Sequence, residues 1–215
     1  MLRRTFALLV CLASLGATAA SAQDAATSQQ QSAASPPLAV ANQLAMDGQL
    51  EYKLLATNRV TTMEKEMVES AAAGYHFDDV VSGPTFWGGD EALVIMSRVR
   101  GANHKPRYEY KLLATSKTST MQKELQQAGD LGFEHRGETV FKKTFGTEVM
   151  IILERDLEAT PRLWDYRLLA TKKTSTMQKE LLAAADEGFQ FVGVSVGATF
   201  FGGSEVVTIM RRPRK

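Results

Sequence analysis

LLATSKTSTMQKEL occupies residues 112–125, and LLATKKTSTMQKEL, with Lys172 in place of Ser116, occupies residues 168–181. A looser copy, LLATNRVTTMEKEM, fills residues 54–67. Around these copies the same landmarks recur. Tyr52, Tyr110 and Tyr166 open each one, and Gly74, Gly132 and Gly188 each follow their tyrosine by 22 residues. Glu91, Glu148 and Glu205 lie 57 apart, with Arg98, Arg155 and Arg212 each seven residues further on. Spacing this regular marks one structural unit written three times. The units span residues 49–100, 107–156 and 163–212; the short connectors between them carry Pro106 and Pro161.

Inside a unit the hydrophobic period changes twice. Residues 52–57 form a short apolar run bounded by polar residues, which reads as a strand. Thr61, Ser119 and Ser175 each stand three residues before Glu64, Gln122 and Gln178, the pattern of a capping box at a helix start. Met63, Met67 and Ala71 then fall at helical spacing, as do Met121, Leu125 and Ala128, and Met177, Leu181 and Ala184. The glycines at 74, 132 and 188 sit where a helix ends in a left-handed residue. Two strands follow, near residues 76–81 and 92–96 in the first unit, around a glycine-bearing turn. The unit is therefore β-α-β-β, and the fold class is α+β.

The two later strands differ in kind. The last is apolar without alternation, as for a strand covered on both faces, so it is expected in the centre of its sheet. The middle strand carries Asp78 and Asp79, or Arg136 and Glu138, charges that suit an edge. Adjacent strand residues point to opposite faces, so Asp78 and Asp79 are not expected to share a substrate. One helix covers one sheet face, and the other face must be buried by a neighbouring unit. Units of this size are marginal alone, so the three repeats are expected to share a core.

The N-terminus has its own logic. Arg3 and Arg4 precede an apolar run, and small residues follow up to Ala20-Ser21-Ala22, which reads as a secretory signal peptide over residues 1–22. The run is too short for a transmembrane anchor. Cys11, the single cysteine, lacks the small residue expected before a lipidated cysteine, and the mature chain then has no disulfide. Residues 23–48, rich in Ala, Ser and Gln, read as a flexible leader. The expected location is the periplasm or the exterior of the cell. Removing Arg3 and Arg4 takes the balance from 25 basic and 24 acidic residues to 23 and 24, a net charge of −1. That balance excludes the strongly basic footprint of a dedicated nucleic-acid binder.

Glu109-Tyr110-Lys111, a helix-length segment, and then Gly132-Phe133-Glu134 resembles a family of small bacterial βαββ domains of unknown function. In that family an aromatic-lysine opening precedes the helix, and Gly-Trp-Glu with a short apolar strand follows it. Here Tyr75, Phe133 and Phe189 stand at the tryptophan position, and His76, Glu134 and Gln190 at the glutamate position. The resemblance implies a fold and carries no activity.

Chemistry-bearing patterns are sparse. His76, His104 and His135 fall at different places in the repeat, and no pair has metal-ligand spacing. There is no nucleophile elbow, P-loop or dinucleotide fingerprint. No catalytic residue, cofactor or metal ligand is assigned, and the chain reads as a non-catalytic scaffold or interaction module. Two features could meet a partner. One is the aromatic turn holding Trp87, Phe145 and Phe201, whose rings either fold over their own sheet or project as a multivalent surface. The other is the basic end, Arg211, Arg212, Arg214 and Lys215, with residues 213–215 as the tail: a solvated terminus, or a contact for an anionic envelope surface. The alternative reading is a binding protein with a small-molecule or lipid pocket between repeats, for which His76, His135 and Arg136 are candidates because they break the repeat.

Overall fold

The computed structural model describes residues 49–84, 90–101, 104–143, 146–198 and 204–214. The first unit consists of β1 (Leu50–Thr57), α1 (Val60–Ala72), β2 (His76–Pro84) and β3 (Asp90–Val99). The second has β4 (Tyr108–Thr115), α2 (Thr118–Asp130), β5 (Glu134–Lys143) and β6 (Gly146–Asp156). The third has β7 (Trp164–Thr171), α3 (Thr174–Asp186), β8 (Gln190–Ala198) and β9 (Ser204–Pro213). Each unit forms one antiparallel three-stranded sheet with its last strand in the centre: β1-β3-β2, β4-β6-β5 and β7-β9-β8. The apolar strand is central and the charged strand is an edge, as the sequence implies.

Register is the same in all three sheets. Tyr52 faces Ser97, Tyr110 faces Glu154 and Tyr166 faces Arg211. The pairing of the middle strand shifts once per sheet, between Phe77 and Asp79, His135 and Gly137, and Phe191 and Gly193. This bulge corrects the alternation assumed for Asp78 and Asp79. The Ser97 hydroxyl donates to Asp78 at 3.0 Å, and the counterparts of that pair, Glu154 and Arg136, meet on the face toward the preceding unit. A Cβ on Gly137, the counterpart of Asp79, would lie 3.1 Å from Phe77 of that preceding unit. Both aspartates therefore sit on the same, outer side of sheet 1, because the extra residue of a bulge interrupts the pleat.

The helix starts also differ from expectation. The N-cap residues are Arg59, Lys117 and Lys173, and none makes a side-chain cap. Thr61, Ser119 and Ser175 lie inside the first turn. The turn into each helix is instead tied by the recurring threonine before it: Thr57, Thr115 and Thr171 accept from the N–H of Arg59, Lys117 and Lys173 at 3.1, 3.1 and 3.2 Å. The helix ends are as predicted. Gly74, Gly132 and Gly188 have φ of 84°, 84° and 86°, and the following aromatic N–H returns to the last turn, as Tyr75 does to the Ser70 carbonyl at 3.0 Å. An arginine closes each unit. Arg98 Nη1 donates to the Ala73 carbonyl at 2.8 Å, Nε to Glu51 at 3.0 Å, and the guanidinium stacks 4.4 Å from the Tyr75 ring. Arg155 and Arg212 repeat the clamp on Leu131, Glu109 and Phe133, and on Glu187, Asp165 and Phe189.

The helices lie between consecutive sheets, so the core is shared. Met63, Met67 and Ala71 of α1 pack with Leu55, Val94 and Met96 of sheet 1, and with Tyr110, Leu112 and Ile152 of sheet 2. Met121, Leu125 and Ala128 of α2 join Leu113, Ile151 and Leu153 of sheet 2 to Trp164, Tyr166 and Ile209 of sheet 3. Burying each of these larger side chains contributes roughly 1.5–3 kcal/mol. Sheet 2 is thus covered on both faces. Around α3 only a small cluster forms, with Ala184, Phe189 and Met210 at its centre. The expectation that a neighbour buries every second face fails at sheet 1, whose outer side exposes Tyr52, Leu54 and Ile95. No described unit precedes it.

Helix α2 also closes a sheet edge. Gln122 accepts from Leu168 N–H at 2.7 Å and donates to the Tyr166 carbonyl at 2.9 Å. Gln126 accepts from Tyr166 N–H at 3.0 Å and donates to the Trp164 carbonyl at 3.1 Å. Side-chain amides so replace the strand that β7 lacks on its outer side. Glu64 does part of this for β4, accepting from Leu112 N–H at 3.1 Å.

Candidate functional site

A cluster of polar side chains around a buried carboxylate lies where the first unit meets the second. Glu154, on the central strand β6, is 2% exposed. Its Oε1 accepts from Arg136 Nε at 2.8 Å and Nη2 at 2.6 Å. Its Oε2 accepts from the Tyr110 hydroxyl at 2.8 Å and lies 3.1 Å from His76 Nε2. Tyr110 in turn accepts from Phe77 N–H at 2.8 Å, and the His76 ring rests 4.4 Å from that of Tyr108. His76 and Phe77 come from the first unit and the rest from the second.

Burial by itself pushes the Glu154 carboxyl up, but the bonds from His76 and Tyr110 and the charge of Arg136 outweigh it and hold the group below the usual glutamate value. Burial and the Glu154 charge together drive the Tyr110 hydroxyl well above an ordinary tyrosine. Burial lowers Arg136, and Glu154 more than restores it. A carboxylate with four donors around it, drawn from both units, clamps the first unit to the second.

Beside it runs a cleft of about 330 Å³ lined by Glu134, Arg136, Glu154, Arg155, Asp156 and Arg162. It lies between the second sheet and the connector to the third. Most of its charges are already matched. Arg155 is held by Glu109, Glu134 pairs with Arg211 at 3.3 Å, and Asp156 pairs with Arg107 at 2.8 Å. Arg162 lies 5.5 Å from the Trp164 ring. No group of three or more His, Cys, Asp or Glu among the described residues could hold a metal ion.

Trp87, Phe145, Phe201 and Lys215 lie outside the described residues. The three arginines of the basic end are placed, and each is engaged within the molecule. Arg211 pairs with Glu134 and stacks 4.3 Å from Trp164. Arg212 forms the clamp on Asp165 and Glu187, and Arg214 binds Asp130 at 2.6 Å and Asp165 at 2.8 Å. These residues belong to β9 and its immediate exit. Their charge is compensated at home.

Of the residues that break the repeat, His76 and Arg136 do converge, on Glu154. His135 stands apart at the next junction, with Nε2 2.5 Å from Glu138 and its N–H donating to the Tyr166 hydroxyl at 2.7 Å. Glu154 itself escaped the sequence reading. Its signal was available: the aligned position reads Ser97, Glu154 and Arg211, a charge inside an otherwise apolar strand. Among the described residues no helix is long and apolar enough to cross a membrane. No family model, no curated protein and no solved structure matches this chain.

Proposed function

We propose that the protein is an exported interaction module of the bacterial envelope, released by cleavage near Ala22, which acts through its surfaces without catalysing a reaction. The observation that carries this reading is the outer face of sheet 1. Tyr52 is 64% exposed there, whereas Tyr110 at the same position of the second unit is 3% exposed. Leu54, Val81 and Ile95 extend the exposed apolar patch. A patch of that kind on a folded chain marks a contact surface. The internal pairing of Arg211, Arg212 and Arg214 favours protein contact over attraction to an anionic surface. The resemblance to βαββ domains of unknown function agrees with this and adds no activity.

A photoreactive residue at position 54, illuminated in envelope fractions, tests the reading. Cross-linking to a protein is the expected result; absence of any protein adduct overturns it. A second reading, a small-molecule site, is supported by the cleft beside Glu154 and its Arg162 side chain. It expects the purified protein to release a stoichiometric small molecule on solvent extraction, detected by mass spectrometry, and Arg162→Ala to abolish that release.

A further inference from the structure

The two internal junctions repeat one set of contacts. The Tyr110 hydroxyl accepts from Phe77 N–H, and the Tyr166 hydroxyl from His135 N–H. Glu64 accepts from Leu112 N–H, and Gln122 from Leu168 N–H. The positions that make these bonds occur a third time, split between the two ends of the array. Tyr52 and Leu54 lie on the outer side of sheet 1. Phe191 and Gln178 lie on the far side of the third unit, both exposed. Phe191 is 57% exposed, although its counterparts Phe77 and His135 are buried. The bulge that turns the Phe77 N–H toward Tyr110 is present at Phe191 as well.

We propose that the two ends are complementary, and that a second copy of this chain docks its sheet 1 on α3 and β8 of the first. Tyr52 then receives the Phe191 N–H, and Gln178 receives the Leu54 N–H, continuing the internal interface across two molecules. This inference rests on the interaction-module reading and names the partner. Contact of one end with the other is heterologous, so it would propagate from molecule to molecule, into an open chain or a closed ring.

One residue opposes that growth. Gly137 and Gly193 lie directly under the preceding unit: a Cβ at Gly137 would meet Phe77 and Val80 at 3.1 Å, and one at Gly193 would run into the Glu138 carboxylate. The first unit has Asp79 at this position. Docking would press its carboxylate against Phe191 and Val194, where desolvation without a partner is costly. Asp79 thus holds the contact weak, the role that inward charges serve on exposed sheet surfaces.

Sedimentation velocity of the purified protein over a concentration series tests this. Asp79→Gly should associate at a concentration lower than wild type by at least about tenfold. In that background Leu54→Asp blocks one end and Phe191→Asp the other. All three positions are exposed, so the fold should persist, as circular dichroism can verify. Each doubly substituted chain alone should stay monomeric. An equimolar mixture of the two should form dimers and nothing larger, because it offers one free head and one free tail. Equal association of wild type and Asp79→Gly, continued assembly of the Phe191→Asp chain, or a mixture that stays monomeric would each overturn the proposal. If the purified chain never associates while position 54 still cross-links to a different envelope protein, this inference falls and the interaction module stands.

Discussion

Sheets 1 and 2 present the same side chains at the same register: tyrosine and leucine on the first strand, isoleucine on the central strand. In sheet 2 these are Tyr110, Leu112 and Ile152, sealed under α1. In sheet 1 they are Tyr52, Leu54 and Ile95, open on the outer side. Residue identity is constant and burial is not. What a repeat position contributes is therefore set by the neighbouring unit. The surface of this protein carries text written for an interior.

The largest way to break the comparison is to place a charge at the matched isoleucines. Ile152 is 0% exposed and Ile95 is 40% exposed. Ile152→Asp should cost more than about 4 kcal/mol and leave the protein unfolded at moderate temperature, because the carboxylate would be buried without a partner. Ile95→Asp should melt within a few degrees of wild type. Thermal unfolding followed by circular dichroism measures both.

Glu154 offers the next test, since its counterpart in sheet 1 is Ser97. Glu154→Gln removes the negative charge and sets an amide NH2 donor where one acceptor oxygen stood, against the Arg136, His76 and Tyr110 donors, and should cost about 2–3 kcal/mol at neutral pH. The fold lowers the Glu154 pKa. Its stabilisation is then complete above the ordinary glutamate value of about 4.3 and is lost as pH falls through the lowered one. The gap in denaturation midpoint between wild type and Glu154→Gln should shrink below that pH. A constant gap would mean that the cluster acts through packing rather than charge.

Smaller effects should follow from the helix amides. Gln122→Ala removes the donor and the acceptor that close the β7 edge, and should cost about 1–2 kcal/mol. It should also raise hydrogen exchange at Leu168 N–H. Gln178→Ala, the same change on exposed α3, should leave the stability of the monomer unchanged. The smallest expected change is Thr115→Val, which removes the acceptor for Lys117 N–H. By analogy with helix caps it should cost about 0.5–1 kcal/mol, read from chemical denaturation.

Much of this architecture is legible in the sequence for identifiable reasons. The apolar run at residues 149–153 places its strand in the centre, since only a doubly covered strand can do without polar alternation. The glycines at 74, 132 and 188 mark helix ends because a positive φ suits glycine. The helix starts are not legible in the sequence, because a hydroxyl three residues before Glu64, Gln122 or Gln178 fits a capping box equally well. The acidic or amide side chain is free to turn outward, and Glu64 and Gln122 bond to the next unit, a partner that local spacing does not contain. The bulges were invisible because Gly137 and Gly193 read as ordinary strand glycines until a neighbour lies over them. The Glu154 cluster joins residues as far apart as His76 and Glu154, and its members become neighbours only through stacking of the units.

The arginine clamps bear on how such a chain could grow by gene duplication. Arg98, Arg155 and Arg212 each draw their carboxylate, carbonyl and aromatic partners from within one unit. A segment copied whole carries a finished clamp with it, and the cuts fall in the connectors at 101–107 and 157–163. The arginine is constant, and its partners vary only within their kind: Glu51, Glu109 and Asp165, and Tyr75, Phe133 and Phe189. Several positions that touch the adjoining copy differ between units: Glu64 and Gln122; Ser97, Glu154 and Arg211; Asp79 and Gly137. The clamp travels with its own unit, whereas a seam contact exists only where two units meet.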